Sequence, residues 1–172
     1  MPRTPKKDAS RIPPPSGDTD DLGLFTTLAR TGLFLDALQR ECLGAHELTF
    51  SEYSVLRLLQ RAKSRSLTPS QLAEAVICTT GAMTKLVDRL ERHAFVERKP
   101  NPSDRRAVLV EITRAGRQAA DQAAATYRTG RERVLSRLED DEAERVHKQL
   151  VRLLEAFEMD RARESDTEKR AS

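Results

Sequence analysis

Two short helix patterns stand only three residues apart in this chain, and that spacing restricts the fold more than any other feature. The run is LTPSQLAEAVICTTGAMTKLVDRLERH, residues 67–93. Thr68-Pro69-Ser70-Gln71 reads as a capping box. Thr68 accepts from the Gln71 amide, Gln71 reaches back to the Thr68 amide, and Pro69 takes the first helical position, where no donor is needed. The break falls at Ile77-Cys78-Thr79. Thr79 or Thr80 then caps a second helix over 80–93. In it Met83, Leu86, Val87 and Leu90 follow the spacing of a buried stripe, which leaves Gly81, Ala82, Thr84, Lys85, Asp88 and Arg89 on the other side. Small residues early in a helix permit close approach of another surface, and Thr, Lys and Arg supply donors for phosphates and base edges. The pair is a helix-turn-helix pattern, whose second helix enters a DNA major groove by its N-terminal end.

Two strand patterns follow. Phe95–Lys99 is one, and Ala107–Ile112, with β-branched residues at alternate positions, is the other. Pro100-Asn101-Pro102-Ser103-Asp104-Arg105-Arg106 lies between them and is expected as a tip outside regular pairing. It carries Arg105 and Arg106 at the end of a hairpin, with Asp104 placed to orient a guanidinium, an arrangement suited to a narrow minor groove. The fold class is therefore mainly α with a small β-hairpin wing (α+β).

The run TTGAMTKLVDRLERHAFVERKPNPSDRRAVLVEIT resembles the core of the MarR family of bacterial transcription regulators. The LVDRLE of the second helix, the DRR of the wing and the ITRAG that opens the next helix match that family's pattern in order and spacing, and the resemblance covers roughly 20–158. It implies a homodimeric winged helix-turn-helix protein that binds a pseudo-palindromic operator, usually as a repressor, and is often released by a small aromatic or anionic ligand or by oxidation. Carried over to this chain, the recognition positions are Thr79, Thr80, Gly81, Thr84, Lys85 and Arg89, and the wing positions are Asp104, Arg105 and Arg106. Thr68, Ser70 and Gln71 at the start of the preceding helix, and Lys99 on the wing, complete the expected DNA-binding set.

Composition agrees with a helical regulator. Of 172 residues 38% are hydrophobic and 33% charged, and Trp is absent, so the core is expected to be Leu, Ala and Val. A net charge of +3 is too mild to signal nucleic-acid binding by itself. Its distribution says more. Between Glu52 and Glu74 no acidic residue occurs, while Arg57, Arg61, Lys63 and Arg65 do, which places a basic group beside the expected DNA face.

Residues 1–18 hold five of the eight prolines and several basic residues, and read as a disordered arm. A long helix is expected from about 20 to 43, apolar on more than one side. Thr49-Phe50-Ser51-Glu52 is a second capping box, opening a helix to about Arg61. After the wing, Thr113 caps a helix to about Leu138 in which Gly130 is a weak point. A final helix runs 141–158, ahead of a frayed charged tail at 159–172. The expected domains are thus a winged helix-turn-helix at 49–113 with dimerisation helices at 19–44 and 114–158. Their apolar surface exceeds what the winged part needs, which favours an isologous homodimer.

No apolar run is long enough to span a membrane, and the N-terminus lacks the apolar core of a secretory signal, so a cytoplasmic protein is expected. His46, His93 and His147 form no metal or hydrolase motif, and there is no phosphate-binding glycine loop. Neither an enzyme nor a cofactor or metal is expected. The resemblance implies a ligand pocket where the dimer helices meet the winged domain, and Arg30, Arg40 and His46 are the candidate ligand-binding residues from that region. Cys42 and Cys78 fall in helical patterns, where packing is the ordinary role. Cys78, next to the N-terminal end of the second helix, is the redox candidate if the regulator senses oxidation through a thiol. A different class of function, a helical adaptor whose basic face meets an acidic partner, is the remaining alternative.

Overall fold

The computed structural model describes residues 21–171, and the side chains of 21, 22, 105, 106 and 164–171 lie outside that description, as does the expected basic arm at 1–18. The elements are α1 (Asp21–Gly44), α2 (Phe50–Arg61), β1 (Ser66–Leu67), α3 (Pro69–Val76), α4 (Thr80–Arg92), β2 (Val96–Asn101), β3 (Asp104–Ile112), α5 (Arg114–Leu135) and α6 (Glu142–Ala171). Two compact units are present, one through Ala124 and one from Ala125, so the division falls inside α5 and not at its start.

In the first unit, both capping boxes form. Thr49 Oγ1 accepts from Glu52 N, and Glu52 returns a carboxylate to Thr49 N at 2.8 Å. Thr68 Oγ1 accepts from Gln71 N, and Gln71 Oε1 accepts from Thr68 N at 2.9 Å. Thr68→Ala is expected to lower stability by about 1 kcal/mol, read as a shift in the urea midpoint at constant slope. The core gathers one apolar face from each element: Leu43, Val55, Leu56, Leu59, Leu72, Met83, Val87, Leu90, Val110 and Ile112 are fully or almost fully buried. β3 is the central strand of an antiparallel sheet of order β1-β3-β2, with Leu67 opposite Val110 and Val96 opposite Ile112.

The wing tip is shorter than expected. Pro100 and Asn101 belong to β2, and β3 begins at Asp104. Regular pairing runs to Pro100 opposite Val108 and then slips, with Asn101 opposite Asp104. Proline has no N–H to offer the ladder, so a slip beginning there loses no donor from β2, and the extra residues of β3 are taken up as a bulge. The tip is thereby reduced to Pro102 and Ser103, and the Ser103 N–H donates to Asn101 Oδ1 at 3.0 Å.

Helix α1 joins the core through Cys42 and Leu43 near its C-terminal end, while Leu24, Phe25, Leu33, Phe34 and Leu35 are exposed. In the second unit α5 runs unbroken past Gly130 and ends at Leu135, three residues before the expected Leu138. Ser136 and Leu138 continue as turns, donating to Glu132 and Leu135 carbonyls. Helix α6 runs to Ala171, well past the expected end at 158. No proline or glycine occurs from Glu142 to Ala171, so nothing in the backbone stops it. Its Val146, Leu150, Leu154 and Phe157 are all exposed. None of the described helices is long and apolar enough to cross a membrane.

Candidate nucleic-acid interface

The α3–α4 break is built by three residues with distinct tasks. Ile77 takes a left-handed conformation, φ 55°, and its N–H bonds back to Ala73 and Glu74 carbonyls. The Cys78 N–H donates to Ala73 O at 3.0 Å. Thr79 then caps α4, its Oγ1 accepting from Ala82 N at 3.2 Å. Helix α4 buries Met83, Val87 and Leu90, with Leu86 half-buried beside them. Thr80, Gly81, Ala82, Thr84 and Lys85 form an exposed N-terminal face. A Cβ added at Gly81 would meet nothing within 4 Å. No interior contact therefore requires glycine there, and its small size leaves the outer side of the helix open. Ser70 and Gln71 are also exposed, on the first turn of α3, with the half-buried Thr68 capping that turn.

Arg89, an expected recognition residue, has partners within the protein. Its Nε lies 3.0 Å from Glu52 Oε1, and an Nη donates to Glu47 O at 3.3 Å. The Glu52 side chain is only 4% exposed, and its other oxygen already accepts from both Thr49 N and Thr49 Oγ1. Arg89 thus serves as a strut from the recognition helix to the start of α2. It lies in the C-terminal half of α4, and a buried carboxylate holds its planar fork more firmly than water does.

Lys99 on the wing is paired as well. Its Nζ is 2.8 Å from Glu97 and 2.9 Å from Glu111, and their hydrogen bonds, Glu111's first, raise its pKa. Arg98 spans from β2 to Asp88 and Glu91 on α4. Partial burial lowers the Arg98 pKa, but the hydrogen bond to Asp88 and the charge of Glu91 outweigh it, and the pKa ends above its usual value. The wing's first strand therefore spends its cations on neighbouring carboxylates. Local sequence placed Asp88 only on the outer side of the helix and showed Glu52 only as a capping residue. Asp104 is exposed at the start of β3, and the side chains of its expected partners Arg105 and Arg106 lie outside the description.

The basic segment after α2 lies beside the base of the wing, since Ser66 pairs with Glu111 near the end of β3. Arg57 is held by Gln60 at 2.8 Å and faces Asp121 at 3.6 Å, while Arg61, Lys63 and Arg65 are exposed.

The base of the wing is bolted to α5. Thr113 Oγ1 donates toward the Ala94 and Phe95 carbonyls, at 2.7 and 3.2 Å, and accepts from Gly116 N at 3.0 Å. Ala94 turns the chain out of α4 with φ 57°, and His93 stacks on Phe95 at 5.6 Å between ring centroids.

The three ligand candidates do not converge. Arg40 and Arg89 line a cavity of about 450 Å³ walled by Leu48 and Phe50. His46 lines a different cavity of about 480 Å³, with Gln118 and Gln122. Arg30 lines neither. It stands ten residues before Arg40 on α1, about 15 Å along the axis. Cys42 is buried and Cys78 half-buried.

A helix-turn-helix followed by a paired β-hairpin defines a winged helix-turn-helix protein. Residues 48–108 match the model of the MarR family. The multiple antibiotic resistance protein MarR of Escherichia coli (strain K12) is 36% identical over 87 residues, which are 51% of this chain and 59% of that protein. The HTH-type transcriptional repressor YetL of Bacillus subtilis (strain 168) is 27% identical over 138 residues, 80% of this chain and 83% of the relative. The chain spans about three fifths of the length of the first two curated relatives it matches. A crystal structure of a mutant E. coli MarR complexed with operator DNA is similar with a TM-score of 0.68 and 28% identity, covering 79% of this chain and 99% of that one. Sco5413, a MarR family transcriptional regulator from Streptomyces coelicolor, gives a TM-score of 0.71 at 26% identity, covering 79% and 94%. Residues 48–108 thus match a MarR family domain, and the chain is similar to regulators of that family.

Proposed function

We propose that this protein is a cytoplasmic, sequence-specific DNA-binding transcription regulator. It acts as a homodimer on a pseudo-palindromic operator, as a repressor released by a small anionic or aromatic ligand. The observation that carries this reading is the open N-terminal face of α4. Thr80, Gly81, Ala82, Thr84 and Lys85 are exposed there, and Gly81 is small for no internal reason. Thr79, Thr80 and Lys85 supply donors toward phosphates and base edges, and Thr84, whose hydroxyl donates to Thr80 O at 3.0 Å, offers its oxygen as an acceptor. Thr68, Ser70 and Gln71 meet the flanking backbone, and Arg105 and Arg106 of the wing take the minor groove with Asp104 orienting a guanidinium. The apolar side chains left exposed on α1, and separately those on α6, support a second copy as their cover. Two recognition helices then meet half-sites about 34–36 Å apart.

Release by ligand is supported by the cavity that Arg40 and Arg89 line. Arg40 is paired with Asp36 at 2.8 Å and Arg89 with Glu52 at 3.0 Å, so an anionic ligand acts there by drawing Arg89 away from Glu52 and freeing α4 from α2.

The test is fluorescence anisotropy of the full chain on its own promoter duplex and on a scrambled duplex, over a salt series. Two chains per duplex and a preference of about 10³-fold or more are expected. Lys85→Ala should weaken binding to both duplexes and lower the slope of log K against log salt by about 0.9 per subunit. Equal weak binding to both duplexes, with no change in slope, refutes the reading.

A further inference from the structure

Ile77 carries two costs that nothing among the described residues explains. A β-branched residue at φ 55° sits in a backbone region that glycine or asparagine occupies far more easily. The residue is also 62% exposed, although it is bracketed by buried Leu72, Ala73 and Met83. No other large apolar side chain between residues 45 and 124 is as exposed. A glycine at this position would satisfy the turn and remove the exposed surface.

Ile77 stands two residues before Thr79, which caps α4. A surface that receives the N-terminal end of α4 therefore passes close to Ile77. If that surface is a major groove, it offers one apolar group, the 5-methyl of thymine. We propose that Ile77 is a specificity residue that packs on a thymine 5-methyl at the edge of each half-site. This rests on the DNA-binding reading above and adds a base preference made by the turn and not by the recognition helix itself.

The experiment uses a duplex selected by the full-length protein from random-sequence DNA. Each thymine is replaced in turn by uracil, which removes only the methyl. For the wild type, one thymine per half-site should be sensitive, with about 4-fold weaker binding for each methyl lost. Ile77→Gly should bind the thymine duplex more weakly than wild type and lose nothing further on the uracil duplex. Its Tm should equal or exceed that of wild type, since the strained φ is relieved. A flat uracil scan in the wild type overturns the proposal, as does equal sensitivity in the variant. A fall in Tm of more than about 3 °C, a loss of about 1 kcal/mol or more, also overturns it, since Ile77 would then be a packing residue. Failure to select any duplex removes the DNA-binding reading itself, which separates the two failures.

Discussion

Gly116→Ala is expected to destabilise the protein by about 3 kcal/mol or more, enough to shift the denaturation midpoint well below that of wild type. A Cβ at this position would lie far inside the contact distance of the Phe95 carbonyl oxygen, 2.8 Å from its carbonyl carbon and 3.0 Å from Ile112 Cγ1. Phe95 has little room to retreat. Its N–H donates to Leu90 O at 2.9 Å, and its carbonyl accepts from Thr113 N at 3.0 Å and from Thr113 Oγ1 at 3.2 Å. Inserting one methyl into a packed site typically costs 1–3 kcal/mol, and the Phe95 backbone on one side with the buried Ile112 side chain beside it puts this case at or above the top of that range. Gly81→Ala is the control, because nothing lies within 4 Å of its added Cβ and the helix gains a better former. Denaturant titration of both variants decides the point. An unchanged midpoint in Gly116→Ala would show that the wing base and α5 are not in the close approach described.

Arg89→Ala should rank next, with a loss of about 1.5–3 kcal/mol in stability. The buried Glu52 carboxylate keeps its two hydrogen bonds from Thr49 but loses its only ion-pair partner among the described residues. Stripping one partner from a buried pair costs 3–5 kcal/mol, and the estimate is reduced here because the Arg89 side chain is 44% exposed. Arg89→Lys should rescue little, since one ammonium cannot meet both Glu52 Oε1 and Glu47 O in the geometry of the fork. The double variant Glu52→Ala/Arg89→Ala should be less destabilised than the sum of the singles. Duplex binding separates this role from base reading. A strut lowers affinity evenly across sequences. An arginine on a base edge costs about 1–3 kcal/mol at one base pair and relaxes specificity there.

The elements themselves were readable because their signals are local. Thr68 with Gln71, Thr49 with Glu52 and Thr79 with Ala82 are contacts over three residues, and the spacing of Met83, Val87 and Leu90 marks a buried face without knowledge of its partner. The wing was readable from the alternation in Val108, Val110 and Ile112. Its tip was misjudged because Pro100 sits at the end of the regular ladder, where its missing donor does no harm. The ends of α5 and α6 were misjudged too. Gly130 weakens a helix without having to break it, and a mixed-charge segment that lacks proline and glycine continues as helix unless something competes with it.

Periodicity and capping by themselves determined that this chain makes two helices across a three-residue turn, then a hairpin, and which side of each helix is apolar. Tertiary structure alone decided what the charged side chains do. Arg89 turns to Glu52, Lys99 to Glu97 and Glu111, Arg98 to Asp88 and Glu91, and Gly116 gives way to Phe95. The physical reason is reach. A backbone period or a cap is set within one turn of chain, whereas a long cation selects among all the carboxylates that packing brings near it, and a glycine's neighbour is known only once distant segments have met.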